Sequence, residues 1–149
     1  MSTPLHIRRR EAGPAGEWPD DYPKLLRRLH AARGARNPLQ ALPRLADLPA
    51  PDAMPGIKAG VALLQEAIAR QRRIVVVADF DCDGATACAV GVRGLRMLGA
   101  GDVAHAVPDR AVHGYGLTPG LVEELAALQP ELLVTVDHGI ACHAGVAAA

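Results

Sequence analysis

Five apolar residues in a row, Ile74-Val75-Val76-Val77-Ala78, set the strongest limit on what this chain can fold into. A short run rich in β-branched residues, with no polar residue alternating through it, reads as a strand buried on both faces. Such strands belong to parallel sheets covered by helices. Directly after the run comes Asp79-Phe80-Asp81-Cys82-Asp83-Gly84. Three carboxylates that close repel one another and raise each other's pKa unless a cation or hydrogen-bond donors compensate. Hard oxygen ligands suit Mg²⁺ or Mn²⁺. In open α/β sheets, ligands collect outside the carboxyl ends of the strands. The sequence thus predicts a divalent-metal site at a strand end, with Asp79, Asp81 and Asp83 as candidate ligands.

The pattern repeats along the chain. Val103–Val107 reads as a second strand, ended by Pro108, and Leu132–Val136 as a third, closed by Asp137-His138-Gly139. Between them, helices are predicted from about Ala85 to Leu98, with Gly99 as the stop, and from Thr118-Pro119 to about Leu128. Thr118 is an N-cap and Pro119 suits the first helical position. A last helix is expected from near Ile140. Asp109–Leu117 reads as a loop around Gly114-Tyr115-Gly116. The β-α-β-α-β-α order predicts an α/β fold with a parallel sheet of βαβ units. Ahead of it, residues 1–56 form a helical, Pro-rich lead-in holding nine of the twelve prolines. Tyr22, Leu25, Leu26 and Leu29 mark an amphipathic helix that ends near Gly34. Asn37–Gly56 is expected to be irregular, with one short turn around Pro43–Leu48. Ile57, Val61, Leu64 and Ile68 mark a helix over 57–70 that opens the second domain, residues 57–149.

Composition narrows the function classes. No apolar stretch is long enough to span a bilayer, and Met1–Arg10 lacks the apolar core of a signal peptide. Cys82, Cys88 and Cys142 are odd in number and form no C-x-x-C pair, so a reducing cytoplasm is the expected compartment. The formal net charge is zero, but it is unevenly spread. Residues 1–73 carry 13 Lys/Arg and 7 Asp/Glu, whereas residues 74–149 carry 3 and 9. A basic half joined to an acidic half can pair an anionic polymer with a metal centre.

Other readings of the acidic loop fail on spacing. An EF-hand loop beginning at Asp79 needs a glutamate at its twelfth position, where Val90 stands. The Asp-x-Asp-x-Thr/Val pattern of phosphoaspartyl phosphatases meets Asp83 or Ala85 at its last position. Cys82 alternates with the aspartates and is expected to face the core. Gly84 allows close backbone approach to a metal or phosphate at a helix N-terminus. Asp137 follows another apolar strand, so it is expected on the same sheet edge as the trio, where a carboxylate can help bridge two cations. Arg110, the one Lys or Arg after Arg96, carries a guanidinium fork that matches phosphate. A surface salt bridge is its plainer role. His113, His138 and His143 are weak signals singly.

Three segments in order carry a resemblance: Val77-Ala78-Asp79-Phe80-Asp81-Cys82-Asp83-Gly84-Ala85-Thr86, then Val107-Pro108-Asp109-Arg110 with Gly114-Tyr115-Gly116-Leu117, then Val134-Thr135-Val136-Asp137-His138-Gly139-Ile140. Together with Arg8-Arg9-Arg10, Trp18-Pro19 and Leu29–Gly34, they resemble the RecJ single-stranded-DNA exonucleases of the DHH phosphoesterase superfamily. Other branches carry a histidine four residues before the first aspartate of an Asp-x-Asp pair; here Val77 precedes Asp81. The resemblance implies 5′-to-3′ hydrolysis of single-stranded DNA in recombination and repair, with two Mn²⁺ or Mg²⁺ ions. It implies Asp79, Asp81, Asp83 and Asp137 as metal ligands, with Asp81, Asp83 and Asp137 catalytic. Arg110, Gly84 and His138 are implied on the phosphate or DNA. The family has asparagine where Asp109 and His138 stand. Its Asp-His-His signature lies downstream of this segment, so the chain is expected to be an amino-terminal fragment with little activity alone. A small-phosphoester or oligonucleotide phosphodiesterase, and a non-catalytic DNA- or protein-binding module, are the alternatives.

Overall fold

A computed structural model describes residues 16–149. The expectations for residues 1–15, Arg8-Arg9-Arg10 among them, lie outside the described residues. The described residues divide into two compact units, one ending at Ala53 and one running Met54–Ala149.

In the first unit, helix α1 runs Lys24–Ala32, and Gly34 at φ +89° turns the chain away from its end. Leu25, Leu26 and Leu29 are all exposed, so the apolar stripe of α1 is not covered. Trp18, Tyr22 and His30 cluster instead, with Trp18 and Tyr22 ring centroids 4.9 Å apart. The expected irregular stretch holds a short helix α2, Pro38–Ala41, capped by the Asn37 side chain, and two 3₁₀ turns at Leu45–Asp47 and Pro51–Ala53.

The second unit opens with α3, Ile57–Ala69, followed by β1, Ile74–Ala78, with all five residues buried. Helix α4 spans Cys82–Met97, β2 Val103–Ala106, and α5 Arg110–His113. Helix α6 spans Pro119–Leu125, β3 Leu132–Val136, and α7 His143–Ala148. The three strands form one parallel sheet in the order β2-β1-β3. Ile74 lies opposite Val103 on one side and Leu132 on the other, and Ala78 lies opposite Val136.

Strand periodicity sends successive β1 side chains to opposite faces. Ile74, Val76 and Ala78 pack with Ala67 of α3 and with Cys88, Val92 and Leu95 of α4. Val75 and Val77 pack with Leu117 and with Leu121 and Leu125 of α6. Helices thus cover both faces, which is why the run needed no polar alternation. The far end of the sheet is tied by Arg73. Its Nε meets Asp102 at 2.6 Å, its Nη1 donates to the Leu128 carbonyl at 2.9 Å, and its backbone N–H donates to the Glu131 carboxylate at 3.0 Å. That clasp brings the starts of all three strands together.

The order β2-β1-β3 also fixes where a site can form. The chain leaves β1 for one neighbour and later returns to its other side. The reversal falls between β1 and β3, and in open α/β sheets the crevice at such a switch point opens beyond the strands' carboxyl ends. Among the described residues, no helix is long and apolar enough to cross a membrane.

Candidate metal centre

Asp79 and Asp81 follow β1 and Asp137 follows β3, so both segments enter the switch-point crevice. One carboxylate oxygen from each of the three lies within 4.8 Å of the others. Asp79 is 2% exposed, and its Oδ1 accepts from the Phe80 N–H at 2.9 Å. Burying an anion costs several kcal/mol unless it is paired. Its described partner is Arg110, whose Nη2 sits 3.6 Å from Asp79 Oδ2.

The helix begins within the acidic segment, whose loop part is only Asp79–Asp81. Asp81 is the N-cap of α4, and its Oδ1 accepts from the Gly84 N–H at 3.2 Å. Cys82, Asp83 and Gly84 therefore lie in the first helical turn. This corrects the expectation for Cys82. Alternation holds for extended backbone, and on a helical turn it fails, leaving Cys82 exposed. Asp83 is exposed and stays outside the close trio, although its charge reaches Asp137. Gly84 is buried. A Cβ there would stand 2.3 Å from the Asp79 carbonyl oxygen, so only glycine lets the helix start this close to the strand end.

The trio's electrostatics are uneven. The Gly84 N–H holds the Asp81 carboxyl below the usual carboxylate range, with the Asp83 side chain next in effect. Burial pushes Asp137 up, and the charges of Asp83, Asp81 and Asp79 push it further. Asp137 also sits at φ +63°, in the left-handed region where aspartate is among the more tolerant residues. The Tyr115 hydroxyl donates to the Asp137 carbonyl oxygen at 3.2 Å. Two residues on, Gly139 at φ +120° admits no side chain, because a Cβ would lie 2.5 Å from Thr135 Oγ1.

Arg110 is the first residue of α5, a helix the sequence did not reveal; Asp109 caps it by accepting from the Ala111 N–H at 2.9 Å. The Arg110 guanidinium lies over the Phe80 ring, 3.6 Å from its centroid, and 5.7 Å from the Tyr115 ring centre. Phe80 and Tyr115 were not read as site residues. Their signal was scarcity: only four aromatics occur among 149 residues, and these two flank the one basic group here while staying 42% and 59% exposed. Both ring nitrogens of His138 are buried without a hydrogen-bond partner among the described residues, and the ring meets Tyr115 edge-on at 6.4 Å. An open hollow of about 440 Å³ lies beside Asp137, lined by Tyr115, His138 and Cys142. A larger one of about 580 Å³, by Leu117, Val122 and Leu133, is remote from the carboxylates. Three clustered anions, one of them buried and facing a single guanidinium, form an all-oxygen donor set that suits a hard divalent cation.

Comparison with known proteins identifies the family. The profile of the "DHH family, N-terminal domain" matches residues 73–149. The single-stranded-DNA-specific exonuclease RecJ of Salmonella typhimurium is 43% identical over 99% of this chain and 26% of its own length. The RecJ of Dickeya dadantii is 47% identical over 98% of this chain and 25% of its own length. A crystal structure of exonuclease RecJ bound to manganese, 42% identical, superposes with a TM-score of 0.58 over 69% of this chain and 25% of that one. The chain spans about a quarter of the length of the curated relatives it matches. With its sheet and its acidic segments inside the matched region, the chain belongs to the DHH family.

Proposed function

We propose that this chain supplies part of the active centre of a single-stranded-DNA-specific 5′-to-3′ exonuclease of recombination and repair, acting in the cytoplasm. The observation that carries the reading is the convergence of Asp79, Asp81 and Asp137 from two strand ends onto one crevice. The RecJ relatives and the manganese-bound RecJ structure support it. Asp79, Asp81 and Asp137 would hold divalent cations, Mn²⁺ or Mg²⁺, with Asp83 joining as a further carboxylate. Such ions supply Lewis-acid stabilisation of phosphoryl oxygens and a bound water of lowered pKa. The residues themselves do the rest. Asp81 caps α4 and so fixes its carboxyl relative to Asp79. Arg110, held over Phe80 beside Asp79, presents its fork to a phosphate. Gly84, expected on the phosphate, is buried, and both ring nitrogens of His138 are covered, which favours supporting parts: Gly84 through close approach of α4, and His138 behind Tyr115. Residues 57–149 are read as the amino-terminal part of the DHH domain, with residues 1–56 as its lead-in.

A chimera tests this. Putting this chain in place of the matching quarter of the Dickeya dadantii relative should give Mn²⁺-dependent degradation of single-stranded DNA from its 5′ end. Asp81→Ala or Asp137→Ala should remove that activity, and undiminished activity in both would refute the assignment.

A further inference from the structure

We infer that His113 and Glu124 form a positioning pair that clamps α5 onto α6 and thereby holds the Arg110 guanidinium at the metal centre. Helix α5 has four residues and buries none of them. A helix of this length has no stability of its own, so its place depends on what its side chains grip. Val112 is 73% exposed and adds little packing. At the front end, Arg110 reaches Asp79 and Phe80. At the rear end stands His113, whose side chain is only 11% exposed. Its Nε2 lies 2.9 Å from Glu124 Oε2, while its Nδ1 is buried with no hydrogen-bond partner among the described residues. Among the described residues, the polar return for burying this ring therefore rests on the Glu124 carboxylate.

Glu124 is a sound anchor because α6 is itself fixed. Leu121 and Leu125 are 2% and 3% exposed in the core under β1, and Thr118 caps the helix by accepting from the Leu121 N–H. Glu124 itself is 68% exposed, so removing its carboxylate disturbs no packing. Without the pair, α5 loses its polar hold on α6, and the guanidinium moves more freely with the loop.

The inference rests on the reading of Arg110 as a phosphate contact, but its first test does not. The Arg110 Nε–Hε resonance of the 149-residue chain is identified by its disappearance in Arg110→Lys. It should sit upfield because the guanidinium lies over the Phe80 ring, and Phe80→Leu should abolish that displacement. Glu124→Ala and His113→Leu should move the resonance towards the free-arginine position while the dispersed core methyl signals of Val75, Val77 and Leu121 persist. His113→Gln, which can still donate to Glu124, should restore it. An Arg110 signal unchanged in Glu124→Ala overturns the inference, and this exposed site decides even where His113→Leu does not fold.

A second arm separates the two claims. The chain is titrated in Mg²⁺ with oligothymidylate bearing or lacking a 5′-phosphate. Glu124→Ala should weaken the preference for the phosphate by up to about fivefold, the scale of one exposed ion pair. If the unaltered chain shows no preference, the phosphate reading fails while the resonance still decides whether the pair positions Arg110.

Discussion

Two aspartates a few ångströms apart are given opposite tendencies by their surroundings. Asp81 receives an N–H from Gly84 and is held below the usual range. Asp137 is partly desolvated, faces three other carboxylates, and is held above it. The signs for stability follow by linkage. Asp81's contribution is present above the ordinary carboxylate pKa and is lost as pH falls through its lowered folded value. Asp137 behaves the other way. Its contribution is full below the ordinary pKa and is lost as pH rises through its raised folded value. On acidification without divalent ions, the Asp137 carboxyl should therefore protonate before Asp81. Side-chain ¹³Cγ titration by NMR reads the order, and simultaneous protonation would contradict the geometry. Gly84 makes the second prediction at this scale. Gly84→Ala places a methyl against the Asp79 carbonyl, and overpacking of this kind costs about 1–3 kcal/mol. Urea unfolding should show that loss, and divalent binding should weaken with it as α4 retreats from the strand end.

At the scale of elements, β1 organises the unit, and each face depends on one covering layer. Leu121→Ala should cost about 2–5 kcal/mol in denaturant unfolding, because it opens a cavity under Val75 and Val77. Val112→Ala on α5 should stay within about 0.5 kcal/mol, the side chain being largely exposed. Equal effects of the two would mean that α6 does not carry that face. The elements legible in the sequence were those with a period. All three strands, α3, the end of α4 and the Thr118-Pro119 start of α6 stand where the pattern put them. What was illegible depended on single side chains meeting the backbone. Asp81 begins α4 at Cys82, three residues before the apolar pattern does, because a cap acts before the helix has a buried face. Asp109 starts α5 in the same way, and α5 has no buried residue to betray it. Helix α7 begins at His143 and not Ile140, whose side chain is 98% exposed, since the turn through Gly139 delays it. The carboxylate trio was readable because strand ends are readable. Phe80 and Tyr115 were not, since an aromatic's role around a guanidinium depends on how the loops fold back.

For the molecule as a whole, the distribution of charge makes folding and ion binding one problem. Residues 74–149 carry nine acidic groups and three basic ones, and the strand order β2-β1-β3 drives three of those acids into one crevice. Folding therefore works against electrostatic repulsion, and a cation that binds only the folded state relieves it. By mass action, ligand at one hundred times its Kd stabilises by about 2.7 kcal/mol, so Mg²⁺ or Mn²⁺ should raise the thermal midpoint of the second unit in proportion to the logarithm of its concentration. The double variant Asp81→Asn with Asp137→Asn separates cause from coincidence. Asparagine still caps a helix, so α4 keeps its start, and the loss of two charges removes repulsion. Calorimetry without divalent ions should show this variant melting no lower than the unaltered chain, while its response to added ion is largely gone. A full response in the double variant would mean that the ions act elsewhere on the acidic surface, and that the crevice between β1 and β3 is not where they are held.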